Sequence, residues 1–393
     1  MPTGRGWAAI GVSAALFVLW AGFGELDLMT TAVFLLAAVV IGMVFVNLVS
    51  PEVAVWRRIL PAQVHEGDTV MIEMDVIASR RLRNVSLEDT VHGLGTARFA
   101  AGAARPREPL TARYEVRCRG RGIFAVGPSV LSISDPFSLT ERRTRIGEVD
   151  RLTVYPTVER LTGLPAVRGL DPTVHAIKPT FAPFGGEDFY TLREYQVGDD
   201  LRKVHWPSSA KRDDLMIKQL EIPWRNRALV LLDTRPHRYP IPEAFEQAVR
   251  GAASAIAHLY QSGFGPELWS GARSTKGRPV DRYLDAMETL ATIQTGGRLD
   301  LRNTVSRLLR QGGGGGALVL ITGTPDEGLL GAHRLLANQF TRTVLMAVTD
   351  RPDIAAARFH GVNAVTVTVG TQGRWAPAWR TAMEISWATA SAG

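Results

Sequence analysis

Side chains able to do chemistry are concentrated in one short run, Gly185–Glu221, GGEDFYTLREYQVGDDLRKVHWPSSAKRDDLMIKQLE. It holds Asp188, Arg193, Tyr195, Asp199, Arg202, His205 and Trp206, charges of both signs alternating with aromatics. A solvated loop does not need Tyr195 and Trp206, and a core strand has no use for so many charges. Two readings follow. In one, Arg193, Asp199, Arg202 and His205 form a partly buried ion-pair and hydrogen-bond network that locks two domains together. In the other, the segment is a site that binds an anionic group or a charged residue of a partner. A hydrolase reading would use His205 and Asp199 as acid and base. Ser208 and Ser209 are near in sequence, but spacing alone does not aim either hydroxyl at His205.

The same run resembles the signature of the bacterial family called domain of unknown function 58. That signature reads roughly acid-F-x-x-L-R-x-Y-x-x-G-D-x-x-R-x-I-x-W-x-x-S-A. The matching residues are Asp188, Phe189, Leu192, Arg193, Tyr195, Gly198, Asp199, Arg202, Trp206, Ser209 and Ala210. Asp188 replaces the usual Glu and Val204 the usual Ile, each keeping its chemical type. The runs Arg119-Gly120-Arg121-Gly122, Asp135-Pro136-Phe137 and Val154-Tyr155-Pro156 also resemble landmarks of the family. The resemblance implies two N-terminal membrane helices, a β-rich segment, the signature, and a domain similar to von Willebrand factor A. It also implies a working link with MoxR-type AAA+ ATPases.

The elements that must position these residues can be read from periodicity. Residues 7–23 and 28–49 are apolar, and a membrane-spanning helix needs about 20 such residues. The short Gly24-Glu25-Leu26-Asp27 turn between them makes residues 1–50 a transmembrane hairpin. A cleaved signal peptide is the alternative for the first run, but a second span follows at once. Arg5 precedes the hairpin, Arg57 and Arg58 follow it, and its turn is acidic. The positive-inside tendency then puts both ends in the cytoplasm, with the bulk of the chain on that side of the inner membrane. Cys118 is the single cysteine of the 393 residues, so no intrachain disulfide and no cysteine-based zinc site exists.

Residues 51–156 read as a β-sandwich. Val70, Ile72, Met74 and Val76 share one strand face, and Gly and Asp-Pro turns punctuate the segment. Residues 157–184, rich in Pro, Gly and Thr, read as a linker, and 185–225 as the signature segment. Residues 226–393 alternate strand and helix, the pattern of a doubly wound α/β domain. Gly312–Gly316 reads as flexible, and no Gly-Lys-Ser/Thr follows it to make a phosphate loop.

In such a fold ligands bind at the carboxyl ends of the strands, where Asp233 stands. Von Willebrand A domains begin their metal site with Asp-x-Ser-x-Ser, but here the run is Asp233-Thr234-Arg235-Pro236-His237. Mg²⁺ wants oxygen ligands, and a guanidinium offers none. Asp233 is therefore expected to be held by Arg235 or to cap a helix, and no cofactor is expected. Lys and Arg total 45 against 38 acids with no basic tract, which argues against nucleic acid. The expected function is a membrane-anchored cytoplasmic adaptor or assembly factor, not an enzyme. Its partners would be a MoxR-type ATPase and membrane or envelope protein clients. A hydrolase, or a metal-dependent adhesion domain with a degenerate site, is the alternative.

Overall fold

The computed structural model describes residues 1–48, 52–61, 63–165, 190–194, 204, 206, 209–210, 215–220, 227–270, 273–274, 279–296, 301–310 and 315–391. They divide into two units, Met1–Thr157 and Val158–Gly393.

The first unit opens with two apolar helices, α1 (Gly4–Phe23) and α2 (Leu26–Leu48). Thr3 caps α1 by accepting the Gly6 N–H, and Gly24 ends it in the left-handed conformation that glycine tolerates. The helices pack on each other, and the buried Ser13 hydroxyl donates to the Ala32 carbonyl at 2.6 Å. Val18, Phe23, Phe34 and Ile41 remain exposed, a surface suited to lipid. Both helices are long and apolar enough to cross a membrane.

Ten strands follow among the described residues. They are β1 (Val53–Leu60), β2 (Val64–His65), β3 (Thr69–Ala78), β4 (Leu82–Val91) and β5 (Gly95–Ala104). Next come β6 (Pro109–Arg117), β7 (Gly122–Val126), β8 (Ser129–Ser134), β9 (Glu141–Ile146) and β10 (Asp150–Tyr155). One sheet has the order β1-β3-β6, the other β2-β10-β7-β4-β8-β9 with β5 beside β4. The expected face of β3 is the core face: Val70, Ile72 and Met74 are fully buried and Val76 nearly so. They meet Leu87, Val91, Val126 and Leu131 of the other sheet.

This core also contains ions. The Arg57 side chain, 2% exposed, forms a salt bridge to fully buried Asp89 at 2.9 Å and another to Asp150. Ser129 Oγ and Tyr114 Oη donate to Asp89 at 2.9 and 2.5 Å. Burial and the Asp89 carboxylate together push the Tyr114 phenol well above its ordinary range, so it stays a donor. Arg57 thus serves the sandwich interior, whereas Arg58, beside it in sequence, is exposed.

In the second unit, Val158–Pro165 is extended, as a linker should be, but it lies on the α/β domain. Leu161 is buried, Glu159 accepts the Trp375 and Ala376 N–H groups, and the Gly163 carbonyl accepts from His258 and Trp379. A hairpin pairs β11 (Tyr190–Glu194) with β12 (Met216–Leu220). The α/β domain then runs β13 (Arg227–Leu232), α3 (Pro242–Gln261), β14 (Gly265–Ser270), β15 (Arg273–Ser274), α4 (Pro279–Thr292) and α5 (Leu301–Arg310). It continues with β16 (Gly315–Thr322), α6 (Glu327–Ala337), β17 (Phe340–Val348), α7 (Pro352–Phe359), β18 (Val365–Val369) and α8 (Trp375–Ser391).

The sheet order is β15-β14-β13-β16-β17-β18, parallel except for β15. From β13 the chain first adds strands on one side, then crosses to the other. The reversal lies between β13 and β16, whose carboxyl ends carry Asp233 and Thr322. Of the glycine run expected to be flexible, residues 312–314 lie outside the described residues, while Gly315 opens β16, and a Cβ there would meet the Arg227 carbonyl oxygen at 2.5 Å. Close strand packing, not freedom, explains that glycine.

Removing Asp89 would leave the buried Arg57 charge facing the half-exposed Asp150 carboxylate and neutral acceptors. Asp89→Ala is expected to destabilise the full chain by about 3–5 kcal/mol. Thr96→Ala, on the exposed face, should cost far less. Denaturant unfolding in detergent would check this, and equal effects of the two changes would contradict the buried-network reading.

Candidate functional site

The signature residues fall unevenly on the described structure. Arg193 stands in β11 opposite Ile217 of β12. Asp188, Tyr195, Asp199, Arg202 and His205 lie outside the described residues. Trp206 is 66% exposed, while Val204 is buried. Ser209 is buried, and its hydroxyl accepts the Met216 N–H at 2.8 Å. That oxygen is committed to joining the end of the signature to β12, which gives Ser209 a structural role.

The ionisable cluster that the structure does assemble lies at the strand reversal. The continuous apolar run Ala228–Leu232 fixes β13 in the sheet centre and delivers Asp233, fully buried, at its carboxyl end. Asp326 approaches from the adjacent loop, where it caps α6 by accepting the Leu329 N–H at 2.9 Å. Two carboxylates close together would repel. The Arg235 guanidinium lies between them. Its Nε donates to Asp233 Oδ1 at 2.9 Å and its Nη2 to Asp233 Oδ2 at 2.8 Å. Toward Asp326, Nη1 donates to Oδ2 at 2.9 Å and Nη2 to Oδ1 at 3.1 Å. All four carboxylate oxygens therefore accept from one planar cation, the forked geometry that arginine supplies and lysine does not.

Neighbours complete the cluster. Thr322 Oγ1 donates to Asp233 Oδ2 at 3.0 Å, and Tyr239 Oη to the Asp233 carbonyl at 2.5 Å. Arg238 bridges to Asp326 at 2.8 Å, so two acids face two guanidinium groups and the formal charge balances. Burial alone would lower the Arg235 pKa, but hydrogen bonds and charge from Asp233 and Asp326 hold it above its ordinary value. Burial would raise the Asp326 carboxyl, but Arg235, the Leu329 N–H and Arg238 hold it below the usual aspartate range.

This donor set does not fit a divalent cation. The oxygens that could bind one are engaged by Arg235, and a guanidinium supplies no ligand. Gly323, where an acidic ligand could have stood, cannot carry a side chain: a Cβ would meet the Arg238 carbonyl oxygen at 2.1 Å. Among the described residues no three His, Cys, Asp or Glu gather as a metal-binding group. The expectation that Arg235 holds Asp233 is met. The role of Asp326 was not legible, because it lies 91 residues from Arg235.

Among known proteins, residues 191–263 match the family described as "Protein of unknown function DUF58". The resemblance read from the signature is borne out: the chain carries a DUF58 segment. It is also a distant homologue of the "Uncharacterized protein YeaD" of Bacillus subtilis (strain 168), 24% identical over 291 residues, 70% of this chain and 71% of that protein. Weaker likenesses reach solved structures. A CARDB domain from Pyrococcus furiosus, crystallised with di-metal ions, is 12% identical with a TM-score of 0.20, covering 26% of this chain and 88% of that one. The sporulation control protein Spo0M of Bacillus subtilis is 14% identical with a TM-score of 0.16, covering 26% of this chain and 49% of that one. Scores this low carry no argument about fold or function.

Arg235→Ser would leave Asp233 and Asp326 facing each other beside Thr322. This variant should lose about 3–5 kcal/mol without divalent cations and recover part of it in Mn²⁺, while the native chain should show no Mn²⁺ response. Cation-dependent thermal unfolding checks both, and an Asp233-dependent Mn²⁺ response in the native chain would contradict the assignment. A pH series adds a second check. The folded Asp326 carboxyl lies below its unfolded value, so its contribution is present above the unfolded pKa, about 4. It is lost as pH falls through the lowered folded value. Asp326→Asn should therefore flatten the stability profile below about pH 4. Identical profiles would exclude this coupling.

Proposed function

We propose that the protein is a membrane-anchored adaptor or assembly factor that binds other proteins and performs no catalysis itself. The observation that carries the reading is the Arg235 salt bridge. A doubly wound fold keeps its ligand site at the strand reversal. Here that position is occupied by an internal, charge-balanced cluster, with Pro236 and His237 exposed beside it. Such an edge suits docking to a protein surface better than holding a small substrate or a metal-bridged ligand. The two apolar helices supply the anchor. Arg5 and Arg58 flank them and the turn between carries Glu25 and Asp27, which favours both ends, and the units that follow, on the cytoplasmic side. Its partner would be a MoxR-type AAA+ ATPase, as in the family the signature resembles, acting on membrane or envelope clients. Arg193, placed in β11 of the signature hairpin, would take part in that contact together with Trp206.

The test is a pull-down of detergent-solubilised full chain with a MoxR-type ATPase from the same genome. The native chain should retain the ATPase, and Arg193→Ala should lose it while keeping its melting temperature. Equal retention by both chains would remove the signature from the contact. Failure of the native chain to retain the ATPase would remove the partner. A reporter fused after Val149 should report a cytoplasmic position in intact cells, and a periplasmic signal would reverse the orientation.

A further inference from the structure

The loop between β8 and β9, Asp135-Pro136-Phe137-Ser138-Leu139-Thr140, lies against the two apolar helices. Its backbone pairs with the chain start: the Thr3 N–H donates to the Leu139 carbonyl and the Glu141 N–H to the Met1 carbonyl, both at 2.8 Å. Gly6 of α1 lies so close that a Cβ would meet the Leu139 carbonyl oxygen at 2.0 Å. On α2, a Cβ at Gly42 would meet Asp135 Oδ2 and Thr140 Oγ1, each at 3.0 Å. Asp135 is 1% exposed; its Oδ1 accepts the Leu139 and Thr140 N–H groups, and its Oδ2 has no hydrogen-bond partner. The loop is thus built onto both helices. Pro136 and Phe137 are exposed, and Phe137, at 74%, presents a large and mostly uncovered apolar ring.

Depth decides what covers it. Gly42 lies six residues before the end of α2, Leu48, or about 9 Å along a helix axis. The 23 residues of α2 span about 34 Å, against about 30 Å of hydrocarbon. A helix centred in the bilayer therefore carries Gly42, and the loop touching it, inside the hydrocarbon, about 7 Å short of its boundary. Below the loop the chain is basic. Arg142 donates to the Asn47 carbonyl at the end of α2; Arg143, which also pairs with Glu141, and Arg145 are exposed on β9, and Arg5 is exposed beside Gly6 at the start of α1. Cations at that level match anionic headgroups.

We propose that the Asp135–Thr140 loop is a third membrane contact, with Phe137 seated in the acyl chains of the bilayer that holds α1 and α2, and Arg5, Arg142, Arg143 and Arg145 on its anionic headgroups. This rests on reading α1 and α2 as membrane-spanning. The contact fixes the sandwich against the lipid surface, because the same loop is hydrogen-bonded into the second sheet through Asn84.

Spin labels on the full chain in lipid nanodiscs test it. The native Cys118 is buried, so labels report the introduced sites. Three variants are compared: Phe137→Cys, Leu36→Cys on the outer face of α2, and Glu243→Cys on the α/β domain. The Phe137 label should relax more strongly with oxygen than with a water-soluble nickel chelate, as at Leu36 and unlike Glu243. Phosphatidylglycerol should deepen the Phe137 label, and adding Arg143→Glu and Arg145→Glu should abolish that deepening. A Phe137 label that behaves like Glu243 while Leu36 is lipid-exposed overturns the proposal alone. A Leu36 label that behaves like Glu243 overturns the membrane reading and the proposal with it. A Phe137 label in lipid that ignores phosphatidylglycerol overturns the assignment of the arginines.

Discussion

A single guanidinium between two carboxylates organises the α/β domain. Asp233 follows the central strand and Asp326 caps α6, and Arg235 bridges the two carboxylates. The same contact sets the loop that carries Tyr239, whose hydroxyl returns to the Asp233 carbonyl. It also explains why position 323 is a glycine, since the Arg238 backbone is pressed against it. The sandwich repeats the solution with Arg57 between Asp89 and Asp150. Arginine suits both places because its charge is not lost at any physiological pH and its fork can serve two carboxylates at once.

On the proposed reading, this choice of cation shapes the function. A bound metal keeps a coordination position open and can bridge to a ligand carboxylate. A guanidinium whose donors are already engaged by internal acids cannot do so. The edge of the sheet becomes a fixed surface, independent of divalent ions. On the proposed reading, the two apolar helices would anchor such a surface, and it would position partners rather than transform a substrate. Buried ion pairs add little net stability against apolar replacements, but they impose one geometry, and here that geometry defines the edge.

Much of this was legible in residue order. Period-two faces gave β3, and the apolar run Ala228–Leu232 gave the central strand with Asp233 at its end. The Asp233–Arg235 pairing was legible because two residues at a strand terminus can reach each other. Asp326 was not, because only the topology brings it there. The Arg57–Asp89 pair was missed although the signal existed: Val85, Leu87, Asp89 and Val91 alternate on one face, which points Asp89 inward. Local composition misled at Gly315, where the neighbouring strand decides. At Val158–Pro165 the Pro, Gly and Thr content pointed to an extended segment, but could not reveal that α3 and α8 receive it. The signature was recognisable as a family mark, yet its chemistry depends on residues outside those described.

That Arg235, and not a metal ion, holds Asp233 and Asp326 together is tested most directly by diffraction from the native chain crystallised in millimolar Mn²⁺, with data at the manganese absorption edge. The expected result is guanidinium density between Asp233 and Asp326 and no anomalous peak there. An anomalous peak between the two carboxylates, with the Arg235 side chain turned away, would contradict the account.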